Sequence, residues 1–404
     1  MLKNRVSLFL VLLLVAVVMT SSVMAQDGED VIVESGDDVV IGLATILSGE
    51  GLVPLGDDIT RGVELALEDR PVVTIEEEEF AVTLDIQDDQ CSAEGGQAVA
   101  NRFVSEPSIV AVVGPTCSSA CRAAGPIFDE AGYSMISSSC TAPDLTAEDT
   151  GFASFNRTTP NDSLQGAAAA EFIYNELGYT SIATVHDGSP YGESLVNVLS
   201  EAFTELGGEV VFADSVTVGD TDFRSLLESV AAEEPELIYF GGFPAEAARL
   251  IEQRAEVGLE DVDFMGADGI NTPELVNLAG DAAEGVYASS PVAPQSEAVE
   301  EFTQRYIDTY GLEPTAAFNT YSYDAANIIL DAIEAVGTLD DDGNLVINRA
   351  ELAEFIRSFG AEEPFEGLSG VLSCNGSGDC ATGGIGFFQV TDGAYERLEV
   401  AEAE

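Results

Sequence analysis

The stretch GPTCSSAC, Gly114 to Cys121, places two cysteines and two serines beside a Gly-Pro turn. Side chains of these types serve as nucleophiles, metal ligands, disulfide partners or polar contacts to a small molecule. Nucleophilic catalysis by Ser or Cys needs a base, most often histidine, and the chain has one histidine, His186. That residue ends the run SIATVHD beside Asp187, a setting that suits a structural or interdomain residue better than a base. A zinc site would need clustered cysteines kept reduced, and no Walker-type or GxGxxG loop is present to cradle phosphate. The run DDDGN around Gly343 suggests a calcium loop. With Gly343 at the sixth position, however, the twelfth is Arg349, where a bidentate Glu is required. No cofactor and no metal are therefore expected, and no enzymatic activity.

Hydroxyls and one acid remain as candidate ligand contacts. Ser118 begins a helical stretch, where free N–H groups and the helix dipole attract an anion such as a carboxylate. Asp268, in the run GADGI, can face an ammonium group. Together they suit a zwitterion.

Strands and helices must position these residues. Apolar β-rich runs at 39–47, 80–89, 108–115 and 133–139 alternate with helical spacing at 59–69, 94–106 and 118–131. SIATVHD, EVVFADSVT, ELIYFGGF and DFMGADG repeat the pattern further on, again between amphipathic helices. Continuous apolar strands between such helices indicate parallel sheets covered on both faces. The fold class is α/β, with enough βα units for two doubly wound sheets. Ligands in open α/β sheets bind at the carboxyl ends of the strands. Those ends carry the loops 48–58, 114–121, 137–146, 186–193, 240–246 and 266–270, rich in hydroxyls and small residues. Near the C-terminus, Asn348 with Glu351 forms a helix cap, and FFQVTDGAYERL reads as a hairpin turning at Thr-Asp-Gly.

Composition bounds the setting. The chain carries 73 acidic and 14 basic residues, a net charge of −59. Such a surface repels phosphate and argues against nucleic acid or an anionic membrane as partner. Residues 1–25 have Lys3 and Arg5, an apolar run and small residues before Ala25, the pattern of a cleaved secretory signal peptide. An exported chain of this size makes two domains comfortably, after an acidic linker at 26–37. Six cysteines in such a chain favour disulfides; spacing alone leaves fifteen pairings open. The nearest-neighbour expectation is Cys91–Cys117, Cys121–Cys140 and Cys374–Cys380.

In order and spacing, DDQC, GPTCSSA, SSSCTAPDLT, HDGSPYGE, YFGGF, DFMGADG and GDAAEGV resemble the type I periplasmic solute-binding proteins, nearest their leucine/isoleucine/valine-binding branch. The resemblance covers nearly all of the chain after the leader. It implies two α/β lobes joined by a three-stranded hinge that close on a ligand, and delivery of that ligand to a membrane ABC permease. The lobes are expected at 38–159 plus 292–362 and at 160–291 plus 363–404. Carried over by position, Ser118 and Thr141 bind the ligand carboxylate, with backbone groups of Ser139 and Cys140 beside them. Tyr191 and Phe243 cover the ligand, Asp268 pairs with its ammonium, and Leu55 lies near the side-chain pocket. The family's first-lobe bridge matches Cys91–Cys117. The sequence departs from the family in the added pair Cys121 and Cys140, in Asp268 for the usual Glu, and in Phe243 for Tyr. The expected ligand is a small aliphatic amino acid and the expected state a monomer outside the cytoplasm. The alternatives are a carrier of an amide, urea or aromatic acid, a sensing module of the same fold, and a thiol or metal protein using Cys117 and Cys121.

Overall fold

The computed structural model describes residues 30–374 and 376–400; the leader at 1–25 lies outside them. The first part of the chain supplies strands β1 (Asp30–Val33), β2 (Val39–Thr45), β3 (Val72–Ile75), β4 (Glu78–Asp88), β5 (Ile109–Val113), β6 (Met135–Ser137) and β7 (Phe155–Arg157). The second supplies β8 (Ser181–His186), β9 (Glu209–Ser215), β10 (Leu237–Gly241), β11 (Asp263–Gly266) and β12 (Tyr287–Val292). The last supplies β13 (Thr338–Leu339), β14 (Leu345–Asn348), β15 (Phe365–Gly367), β16 (Gly370–Leu372), β17 (Gly384–Thr391) and β18 (Ala394–Arg397).

These strands make two large sheets. The first runs β3-β4-β2-β5-β6-β7 and the second β18-β17-β12-β11-β10-β8-β9. Within each, the central strands pair in parallel: β4, β2, β5, β6 and β7 in one, β12, β11, β10, β8 and β9 in the other. β5, the run IVAVV, is buried at every position because helices cover both its faces. On one side of the first sheet Ile41 and Leu43 pack with Ile59 and Val63 of helix Val53–Asp69 and with Ile328 and Ile329 of helix Asn319–Val336. The second lobe buries Ile238, Phe240 and Phe264 against Leu250 and Ile251 of helix Pro244–Arg254. The chain passes between the lobes three times, at 158–161, 293–296 and 381–383.

Three expectations are corrected. The acidic linker holds a strand: β1 pairs antiparallel with β14, in a three-stranded sheet with β13, and buries Val31 and Val33 while its other residues face out. Net acidity hid a period-two apolar pattern that is sufficient for an edge strand. The tail from residue 363 does not pass wholly to the second lobe. Leu372, Cys374 and Cys380 are buried in the first lobe's core. The hairpin β15–β16 is held there by Asp324, which accepts hydrogen bonds from the Leu368 and Ser369 N–H groups at 3.1 and 2.7 Å. Only β17 and β18 join the second sheet, turning at Asp392 and Gly393, both with positive φ. The first long helix begins at Val53, not 59, with Pro54 in its first turn, where the missing N–H costs nothing.

Two carboxyls buried in the first lobe make stability depend on pH. Asp58 accepts from the Phe318 and Asn319 N–H groups at 3.0 and 2.9 Å, and burial pushes its pKa up to about 7. Burial pushes Asp324 up to about 6. In the unfolded chain both titrate near 4. The folded state therefore binds these protons more tightly, a contribution fully present below pH ~4 and lost as pH rises through 6 and 7. Relief of charge repulsion has the same sign. The melting temperature of the ligand-free protein should rise as pH falls from 8 to 5, and Asp58→Asn should flatten the upper part of that rise. A melting temperature constant or falling over the interval in a thermal scan would refute this.

Candidate functional site

The carboxyl ends of the parallel strands carry the loops named from the sequence, and those loops face each other across the cleft between the lobes. β5 runs into Gly114, whose φ of +97° favours glycine. A Cβ there would also run into the Ala44 carbonyl. The turn delivers Cys117 as the residue before helix Ser118–Ala131. Asp89 pins it from the neighbouring loop, its two oxygens accepting from the Cys91 and Thr116 N–H groups at 2.9 and 2.6 Å. Cys91–Cys117 and Cys121–Cys140 staple the same region, and Cys374–Cys380 closes the loop before the third crossing.

Ser118 is buried and is not a helix cap; the cap position is Cys117, with no side-chain bond. Its Oγ accepts from the Ala142 N–H at 3.2 Å, joining the helix start to the loop after β6. In that loop Thr141 is fully buried, and its hydroxyl has no protein partner among the described residues. The Ser139 hydroxyl donates to the Thr116 carbonyl at 2.8 Å, and the N–H groups of Ser139 and Cys140 both point to Ser137 Oγ, at 3.3 and 2.9 Å. These two residues therefore shape the loop, and the Thr141 hydroxyl lies beside the Asp162 carboxyl. Arg157, fully buried at the end of β7, holds the loop from behind: Nη1 donates to the Cys140 and Ala142 carbonyls at 3.0 and 2.9 Å, and Nε pairs with Asp379 at 2.5 Å. Leu55, half-buried, packs on the first lobe's core.

The added bridge Cys121–Cys140 spans 19 residues and ties the helix of Ser118 to the loop of Thr141. A loop of that size is worth about 3 kcal/mol in the chain-entropy model. The double variant Cys121→Ala/Cys140→Ala should melt roughly 5–10 °C lower. A melting temperature unchanged in calorimetry would show that the bridge adds nothing.

The second lobe answers with Tyr191, Phe243 and Asp268. Tyr191 is buried in the first turn of helix Pro190–Glu205. Its hydroxyl donates to Asp268 Oδ1 at 2.9 Å and accepts from the Gly269 N–H at 3.1 Å. The Phe243 ring lies 5.4 Å from the Tyr191 ring, tilted against it. Burial raises the pKa of Asp268 to about 6, against the opposing hydrogen bonds of Tyr191 and Gln165.

The sequence reading missed Asp162. This residue is fully buried in the first turn of helix Asp162–Glu171, just past the first crossing, and neither carboxylate oxygen meets a hydrogen-bond partner among the described residues. Its N–H donates to the Thr141 carbonyl at 2.9 Å. Burial first, and then the charge of Asp268, raise its pKa well above the carboxylate range. Gln165, one turn on, donates to Ser289 Oγ at 3.2 Å; among the described residues its carbonyl oxygen and the Tyr239 hydroxyl nearby on β10 meet no hydrogen-bond partner. An acid in the first turn of a helix is ordinary dipole chemistry, so only the i, i+3 pair Asp162/Gln165 could have singled out this face. His186 serves a local turn, its Nδ1 accepting from the Gly188 N–H at 3.1 Å. Among the described residues no group of three or more His, Cys, Asp or Glu is placed to hold a metal ion, and no helix is long and apolar enough to cross a membrane.

Two parallel-sheet lobes, three crossings and a polar cleft between facing strand ends define a two-lobed solute-binding protein. Residues 38–393 match the periplasmic binding protein family, and the chain belongs to it, among the Leu/Ile/Val-binding proteins. A leucine-, isoleucine-, valine-, threonine- and alanine-binding protein of Pseudomonas aeruginosa is 31% identical over 294 residues, 73% of this chain and 74% of the relative. A Leu/Ile/Val/Thr-binding protein of Salmonella typhimurium is 30% identical over 343 residues, 85% of this chain and 88% of that one. The crystal structure of a leucine-binding protein of Thermotoga maritima superimposes with a TM-score of 0.78 at 28% identity, covering 89% of this chain and 98% of its own.

Proposed function

We propose that this protein captures a small aliphatic amino acid between its lobes and hands it to an ABC-type permease, working as an exported monomer after loss of residues 1–25. It binds and releases its ligand without chemistry. The observation that carries the reading is the pairing of opposite subsites across one cleft: neutral hydroxyl donors at Ser118 and Thr141 on one side, the buried carboxyl of Asp268 on the other. A zwitterion complements both. Its carboxylate meets the hydroxyls and the open start of helix Ser118–Ala131, while its ammonium meets Asp268, held in place by Tyr191. Tyr191 and Phe243 then close over the ligand, and the remaining substituent on its α-carbon points toward Leu55 and the Cys91–Cys117 bridge. Calorimetry against the amino acids tests this. Leucine, isoleucine or valine should bind with one-to-one stoichiometry; heat from none of them, with heat from an amide, urea or benzoate, would replace the amino acid by that ligand.

A further inference from the structure

Beside the amino-acid site, between the lobes, lies a cavity of about 370 Å³, within the size range of small-molecule pockets. Much of its wall is apolar: Leu52 and Cys91 from the first lobe, Phe243, Ala245, Ala248 and Leu278 from the second. Next to it the lobes approach closely: a Cβ on Gly51 would lie 3.5 Å from both Leu278 and Pro244 of the opposite lobe. Two of its walls also belong to the site described above. Phe243 meets the Tyr191 ring from the site, and Cys91 is bonded to Cys117, the residue before Ser118.

The charges at the cavity's edge restrict what can enter. Glu50, Asp187, Asp220 and Glu246 all line it. Asp187 is 2% exposed, and its Oδ2 has no hydrogen-bond partner among the described residues. The one cation, Arg249, is paired with Glu252 at 3.2 Å. Against an arm that ends in a carboxylate, these charges favour an apolar one.

We infer that the site, read as above as an amino-acid site, takes side chains longer than leucine's, an unbranched or aromatic apolar arm passing Phe243 and Cys91 into this cavity. Each further buried methylene is worth about 0.8 kcal/mol, or about fourfold in affinity. Calorimetry on the full protein with leucine, 2-aminohexanoate, 2-aminooctanoate and 2-aminooctanedioate tests the inference. 2-Aminooctanoate should bind about tenfold more tightly than 2-aminohexanoate, and the dioate should lose that gain. Ala245→Trp, on a half-buried wall position, should abolish the gain while leucine affinity stays within about threefold. Leu278→Trp does the same from another helix, should the first variant fold poorly. Leucine binding with 2-aminooctanoate weaker than 2-aminohexanoate, or a gain that survives in both tryptophan variants, overturns the extension and leaves the amino-acid reading standing. Binding of none of the four overturns both.

Discussion

Asp268→Asn should weaken amino-acid binding by roughly 10²–10³-fold while leaving the ligand-free protein as stable as before or more so. An ammonium buried without its counter-charge costs about 3–5 kcal/mol, and the lower part of that range is that factor in affinity. The substitution keeps the shape of the side chain, and the asparagine oxygen can still accept from the Tyr191 hydroxyl that now donates to Oδ1 at 2.9 Å. What it removes is a buried carboxylate whose charge the fold tolerates poorly, as its raised pKa records. The same change at Asp162 gives the control. Burial and the neighbouring Asp268 raise the pKa of that carboxyl, so Asp162→Asn removes a charge the site holds poorly and should lower affinity far less than Asp268→Asn does. Calorimetry and ligand-free melting curves on the two variants separate the roles. Asp268→Asn within tenfold of the parent, or Asp162→Asn as damaging as Asp268→Asn, would remove Asp268 from the ammonium subsite.

The sequence made one kind of feature plain and concealed another. Apolar runs such as Ile109–Val113 can be satisfied only between two helical layers, so the alternation of strands and helices was legible, as were the loops that end each strand. Ser118, Tyr191 and Asp268 fall on those loops because a parallel sheet puts every strand end on one edge. β1 was concealed because its two buried valines sit in an acidic stretch whose composition reads as solvent. The placement of the tail depended on tertiary contacts: Cys374 and Cys380 carry no mark of which lobe receives them, and the choice is made by Asp324 and by Arg157, whose carbonyl accepts from the Cys380 N–H at 3.1 Å. Asp162 was concealed because its significance is a matter of distance to Asp268, 106 positions along the chain. The lateral cavity was hidden for the same reason, since its walls come from six separate segments.

The arrangement also makes the pocket a proton-linked one. In the ligand-free protein Asp268 titrates at about 6, raised by burial, and an ammonium pairs with it only when it is ionised. Bound ligand lowers that pKa, so binding below about pH 6 must expel a proton. The observed affinity should be level above pH 7 and fall tenfold for each pH unit below 6, reaching roughly tenfold weaker at pH 5. The ligand's own carboxylate and ammonium keep their charges over this interval, and Ser118 and Thr141 are uncharged; Asp162, whose pKa burial and Asp268 raise, is the other acid at the site, and Asp162→Asn isolates the Asp268 titration. Titrations at pH 5 in two buffers of different ionisation enthalpy should therefore differ in heat by close to one proton per ligand, and at pH 7.5 by little. Asp268→Asn should abolish both the slope and the buffer dependence. A parent protein whose affinity does not change between pH 5 and 7.5 would mean that the ammonium does not rest on Asp268. The sign is opposite to that for stability, where acid helps the empty fold. Acidification thus strengthens the unliganded protein while loosening its hold on the amino acid, and both effects come from carboxyls that the fold buries without a cation.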